Sequence, residues 1–107
     1  MSEATISWIT CANRAEAEKI ADALVGEKIA ACVNVIPGVT SVFSWEGKIC
    51  REEEILLMVK SVPGMGGKLV DRVKSLHSYT VPEVITIPIA SGNPAYLDWV
   101  VESTSGK

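Results

Sequence analysis

The chain has 107 residues, 48 % of them hydrophobic, and a formal net charge of −3. That length suits a single domain with one core, expected here over residues 1–107, and leaves an apolar excess that subunit interfaces would use. The acidic balance excludes the basic face of a nucleic-acid binder, and no apolar run approaches the ~20 residues of a membrane span.

The opening MSEATISWIT has neither the basic start nor the apolar run of a signal peptide. Cys11, Cys32 and Cys50 are odd in number and lack CxxC spacing, which suits free thiols in a reducing cytosol. Residues 6–11 form a short apolar run, expected as the first strand. Asn13 with Glu16 three residues on is a capping-box start. Ala17, Ile20, Ala21, Leu24 and Val25 then recur at helical spacing, and Gly26 is expected to end the helix.

A second strand is expected from near Ile29. Residues 31–61 read as one long β-hairpin turning at Glu46 and Gly47, an acidic-Gly pair between two strand-like runs. Each arm has roughly 14 residues, or about 46 Å, whereas helices of ~10–14 residues reach only about 20 Å. The overhang must therefore meet another chain. On the outgoing arm Val33, Val35, Val39, Ser41, Phe43 and Trp45 share a parity, interrupted by Pro37 and Gly38, which mark a bulge. The return arm places Ile49, Ile55, Leu57 and Val59 on one face, and Cys50, Leu56 and Met58 on the other.

Residues 63–67 are expected as a turn. Leu69, Val70, Val73 and Leu76 predict a second amphipathic helix, residues 84–89 a fourth strand, and Asn93 with Pro94 the start of a last helix. Tyr96, Leu97, Trp99, Val100 and Val101 mark that helix's apolar side. The order is β-α-β-β-α-β-α, an α+β ferredoxin-like plan with a C-terminal helix.

Five motifs then come in order: Ala31-Cys32-Val33-Asn34, Trp45-Glu46-Gly47-Lys48, Glu52 to Glu54 leading to Lys60, Leu76-His77-Ser78-Tyr79-Thr80-Val81-Pro82-Glu83, and Gly92-Asn93-Pro94-Ala95-Tyr96-Leu97-Asp98-Trp99. Together they resemble the CutA family, the divalent-cation tolerance proteins. The resemblance implies a ferredoxin-like subunit, a tight homotrimer built by strand pairing, and a link to tolerance of copper and other divalent ions. It also implies a plan similar to the PII signalling trimers. The bacterial pattern often carries two histidines and a proline before the tyrosine. Here Leu76 precedes the sole His77 and Ser78 replaces the proline, so one ligand is lost.

By position Cys11 and His77 correspond to metal ligands proposed for the family, and thiolate with imidazole suits Cu2+ or another divalent ion. A strand end beside a helix N-terminus is expected to lower the Cys11 thiol pKa. The plainer alternative is a buried, packed Cys11 and a hydrogen-bonding His77. Cys32 paired with His77 would make a nucleophile and base, against which core packing stands as the alternative; Cys50 is read as a strand residue. Glu52 and Glu54 share a strand face and could bind a hard cation, or simply guard an edge. Pro63-Gly64-Met65-Gly66-Gly67-Lys68 superficially resembles a phosphate cradle but lacks P-loop spacing. Lys60, Tyr79 and Glu83 are candidates for a polar cleft between subunits, or for a Lys60–Glu83 ion pair across it. Trp45 and Trp99 are expected as interface anchors. The leading expectation is a cytosolic, non-enzymatic homotrimer that binds divalent metal. The alternative is a PII-like signalling or adaptor trimer with a small anionic ligand in its inter-subunit clefts.

Overall fold

The computed structural model describes residues 3–105. The limits of the single-domain assignment and the first two residues of the N-terminal stretch lie outside the described residues. The elements are β1 (Thr5–Cys11), α1 (Arg14–Gly26), β2 (Cys32–Trp45), β3 (Lys48–Ser61), a 3-10 turn (Pro63–Met65), α2 (Gly66–Leu76), β4 (Val84–Pro88) and α3 (Pro94–Ser103). The strands form one sheet in the order β2-β3-β1-β4, with every adjacent pair antiparallel. β3 thus separates β1 from β2, and β1 separates β3 from β4, the split βαβ arrangement of the ferredoxin-like plan. The α+β class and the element order agree with the sequence.

Helix α1 buries Ala17, Ile20, Ala21 and Leu24, one stripe at helical spacing. Asn13 caps it by accepting the Glu16 N–H at 2.9 Å. Gly26 is its last residue, as expected, but the left-handed position beyond the cap is taken by Lys28, at φ 60. Lys28 N–H bonds the Val25 carbonyl and Ile29 N–H the Leu24 carbonyl, at 3.1 and 2.9 Å. That is a Schellman closure built without glycine. It draws Ile29 and Ala30 into the core, so β2 starts at Cys32 and not near Ile29.

The hairpin has arms of 14 residues each and spans the molecule's 46 Å long axis. Glu46 and Gly47, at φ 49 and 78, make the tight turn with two left-handed residues that matches strand twist. Between Ile36 and Val39 the register slips by one residue, with Gly38 at φ 80. This bulge corrects the single-parity expectation. Val33 and Val35 pair with Val59 and Leu57 on the face covered by α1 and α2. Beyond the bulge Val39, Ser41 and Phe43 pair with Glu54, Glu52 and Cys50 on the opposite face.

The principal core joins Ile9, Cys11, Leu57 and Val59 of the sheet to Ile20 and Leu24 of α1 and Leu69 and Val73 of α2. Residues 63–67, expected as a turn, instead form the 3-10 turn and the first residues of α2. No phosphate-cradling loop is made there. Helix α3 closes one end of the sheet, setting Val100 and Leu97 against Ala4, Ala31, Val62 and Ile89. Asn93 caps it through the Ala95 N–H at 3.1 Å, with Pro94 in the first turn.

The opposite sheet face is different. Ile6, Trp8, Leu56 and Met58 are half-buried there, while Ile85 and Ile87 are 53 % and 45 % exposed. Further out on this face, Trp45 near the hairpin tip is 65 % exposed; Ile49, on the other face of the ribbon, is 74 % exposed. An apolar face of this extent is more than a lone small domain ordinarily leaves open.

Candidate functional site

Two neighbouring features lie where β1 ends. The first is a buried cluster. Cys11 is the last residue of β1 and points into the core, fully buried. Glu16 stands in the first turn of α1, and His77 directly follows α2. One ligand atom from each of Cys11, Glu16 and His77 lies within 4.8 Å of the other two. The His77 side chain is fully buried, and that of Glu16 is 9 % exposed.

Each group in this cluster has bonds that define its state. His77 Nε2 lies 2.7 Å from the Thr10 carbonyl, which can only accept, so Nε2 carries a proton. His77 Nδ1 accepts the Tyr79 N–H at 3.0 Å, so Nδ1 presents its lone pair. Nδ1 is also 3.6 Å from Glu16 Oε1. Glu16 accepts the Ala12 N–H at 3.0 Å and the Ser78 N–H. The capping box is therefore altered: the Glu16 side chain reaches back past Asn13 to Ala12 and sideways to a second loop. Burial raises the Glu16 pKa, but the Ala12 and Ser78 donors more than offset this and hold it below its ordinary value. Cys11 goes the other way. Burial, reinforced by the charges of Glu16 and Glu54, pushes its thiol up to about 12. The expected lowering at a helix N-terminus is reversed, because desolvation of a fully buried sulfur outweighs the helix dipole.

The second feature is a cleft of about 490 Å³ on the opposite sheet face, walled by Phe43, Trp45 and Val81, with Glu52, Glu54, Tyr79 and Glu83 supplying polar groups. Glu54 is buried, at 8 % exposure, and accepts the Tyr79 hydroxyl at 2.8 Å. Burial, that bond and the nearby carboxylates raise the Tyr79 pKa, so the phenol stays protonated. The Tyr79 ring also lies tilted against that of His77, centroids 4.6 Å apart, joining cleft to cluster.

Of the residues singled out in sequence, the fold brings Cys11 to His77 and Tyr79 to Glu83. Lys60 lies elsewhere. It sits six residues along β3 from Glu54, about 20 Å at strand rise, with its Nζ 5.7 Å over the Tyr96 ring. Within one chain, therefore, Lys60 does not meet Tyr79 or Glu83. Cys32 pairs across the hairpin with Lys60, at the far end of the sheet from His77. Cys50 pairs with Phe43 and lines the cleft. Trp99 is half-exposed against Tyr96, ring centroids 5.5 Å apart. Glu16 is the functional candidate that sequence reasoning passed over. Its signal was present: an acid at the third helical position stands beside the strand end that precedes the helix.

The model of the family described as CutA1 divalent ion tolerance protein matches residues 5–103. The chain belongs to the CutA family. The divalent-cation tolerance protein CutA of Thermus thermophilus is 50 % identical over 96 residues, covering 90 % of this chain and 93 % of that protein. Its solved structure superposes with a TM-score of 0.93 at 48 % identity, over 94 % of this chain and 98 % of the other. Protein CutA of Mus musculus is 44 % identical over 98 residues, 92 % of this chain and 55 % of the mouse protein, so the chain spans about half the mouse relative's length. The structure of the periplasmic divalent cation tolerance protein CutA from Archaeoglobus fulgidus gives a TM-score of 0.91 at 40 % identity, covering 94 % of this chain and 98 % of that one.

A CutA chain raises the question of whether these residues fit a divalent ion. The cluster offers sulfur, nitrogen and oxygen donors within one ion's reach. The Glu16 oxygens have lone pairs beyond those its N–H donors use. The thiol must lose its proton, which a bound ion favours. His77 must free Nδ1 from Tyr79 or give up the Nε2 proton shared with Thr10. The donor set fits, in a site that must open to accept its ion.

Proposed function

We propose that this CutA chain acts as a homotrimeric, non-enzymatic protein that binds a divalent cation, copper foremost, through Cys11, Glu16 and His77. The observation carrying this reading is the convergence of three unlike donor atoms within 4.8 Å from β1, α1 and the end of α2. Thiolate and imidazole favour Cu2+ over harder divalent ions, and the carboxylate adds charge compensation. A bound ion would supply only electrostatic and coordinate bonds; the residues fix where it sits and how deeply it is screened from water.

The trimer is supported by the open apolar sheet face and the overhanging hairpin, with Trp45 and Trp99 available to anchor neighbours. A cytosolic setting is supported by the free state of Cys11, Cys32 and Cys50. Among the described residues no helix is long and apolar enough to cross a membrane. A non-enzymatic role is supported by the protonated, buried Cys11 and by the distance of Cys32 from any base. The PII-like reading has less behind it. The cleft of one chain carries Glu52, Glu54 and Glu83 and no lysine or arginine in its lining, which disfavours an anion.

The test is calorimetric titration of the purified protein with Cu2+ under anaerobic conditions, with mass followed by light scattering. Saturable heat on a constant trimer, abolished by Cys11→Ala with His77→Ala, is the expected result. A stable trimer that takes up no copper would refute the metal assignment, and a concentration-independent monomer would refute the assembly.

A further inference from the structure

Ser78 and Tyr79 bridge the buried cluster and the cleft. Their backbone N–H groups go to the two side chains that would hold the cation: Ser78 to Glu16, and Tyr79 to His77 Nδ1 at 3.0 Å. On the cleft side the Tyr79 hydroxyl donates to Glu54 at 2.8 Å. Tyr79 is thus held at both ends, by its amide and by its phenol.

The two acceptors differ in capacity. A carboxylate oxygen has a second lone pair, so Glu16 can meet an ion and keep the Ser78 N–H. An unprotonated imidazole nitrogen has a single lone pair. His77 Nδ1 cannot serve both the Tyr79 N–H and an ion. Nδ1 is also the better placed nitrogen, since it faces Glu16 at 3.6 Å, whereas Nε2 is protonated and engaged with Thr10. We propose that a cation entering the Cys11, Glu16 and His77 cluster displaces the Tyr79 amide from His77 and so loosens Tyr79 from Glu54, coupling the cluster to the cleft. This rests on the metal reading above and extends it. Released from the phenol, the buried Glu54 carboxylate turns from a paired acceptor into a group available to whatever the cleft receives. The coupling runs both ways, because an effect of one site on the other's affinity is reciprocal.

The experiment is hydrogen exchange of the full chain with residue-level fragmentation, with and without saturating Cu2+, beside calorimetry on variants. The Tyr79 amide should exchange on the order of fivefold faster when copper is bound, the effect of losing one hydrogen bond, while the Ser78 amide is unchanged. Tyr79→Phe keeps the amide but frees the ring from Glu54, and should tighten Cu2+ binding severalfold. Glu54→Gln, which preserves the cleft's shape, should shift affinity in the same direction. Copper heat that depends on Cys11 and His77 with an unchanged Tyr79 amide would overturn the coupling and leave the metal site standing. Unaltered affinity in both folded variants would do the same. Absence of copper heat would remove the metal site and the coupling together.

Discussion

Replacing Glu16 with glutamine tests whether this carboxylate stitches two loops together. It accepts N–H groups from Ala12 and Ser78, one on each side of the cluster. Hydrogen bonds to a charged acceptor contribute about 1.5–3 kcal/mol each, and a side chain only 9 % exposed is little screened. Glutamine retains one neutral carbonyl for one N–H and turns an NH2 group toward the other. The expected loss is about 2–3 kcal/mol at pH 7, or about 1.5 M in urea midpoint if the slope is ~1.5 kcal/mol/M. Because folding lowers this carboxyl's pKa, its contribution is complete above the ordinary value of 4.5 and disappears as pH falls through the folded value. Glutamine does not titrate. The gap between the two proteins should therefore be widest near pH 7 and close in acid. Urea unfolding in chelator-treated buffer, at matched protein concentration and a series of pH values, measures it; matching matters because assembly adds to stability. A gap that stays constant from pH 7 to about pH 3, or one below about 0.5 kcal/mol at pH 7, would refute this account.

Gly47→Val should destabilise the hairpin by about 1–2 kcal/mol, since φ 78 is left-handed backbone that a β-branched residue resists; an unchanged denaturant midpoint would contradict the turn assignment. Cys11, fully buried with its thiol pushed up to about 12, should resist iodoacetamide at pH 8 until the protein is unfolded. Peptide mapping that finds Cys11 alkylated in the native state would show that the sulfur is reachable or ionised.

The hairpin was legible because its turn chemistry and its arms point the same way: Glu46 and Gly47 sit between runs that each pair along their full length. Both outer helices were legible from their caps, Asn13 and Asn93. What failed did so for local reasons. Parity counting through Pro37 and Gly38 could locate a bulge but not its net shift, and one extra residue moved Val39, Ser41 and Phe43 to the other face. Gly26 does end α1, but Lys28 and not a glycine takes the left-handed backbone beyond it, while Ile29 and Ala30 gain burial and delay β2 to Cys32. The meeting of Cys11 with His77 followed from family resemblance. Glu16 was hidden by its more obvious role as a capping residue, and the separation of Lys60 from Tyr79 depends on strand register, which no single motif encodes.

The slip between Ile36 and Val39 has a further consequence for how this chain can change. Inside it, the hairpin's residues answer to the chain's own helices; outside it, the parity of β2 is inverted while that of β3 runs on, and the residues answer to their surroundings. A single-residue deletion there would remove the extra residue and leave Ile36 opposite Leu56 and Val39 opposite Glu54, so Phe43 and Trp45 would keep their face and only the local kink and twist would be lost. The strand is continuous as backbone but divided as text. Variation on one side of the bulge can reshape what the protein meets, while variation on the other is judged only by whether the subunit folds.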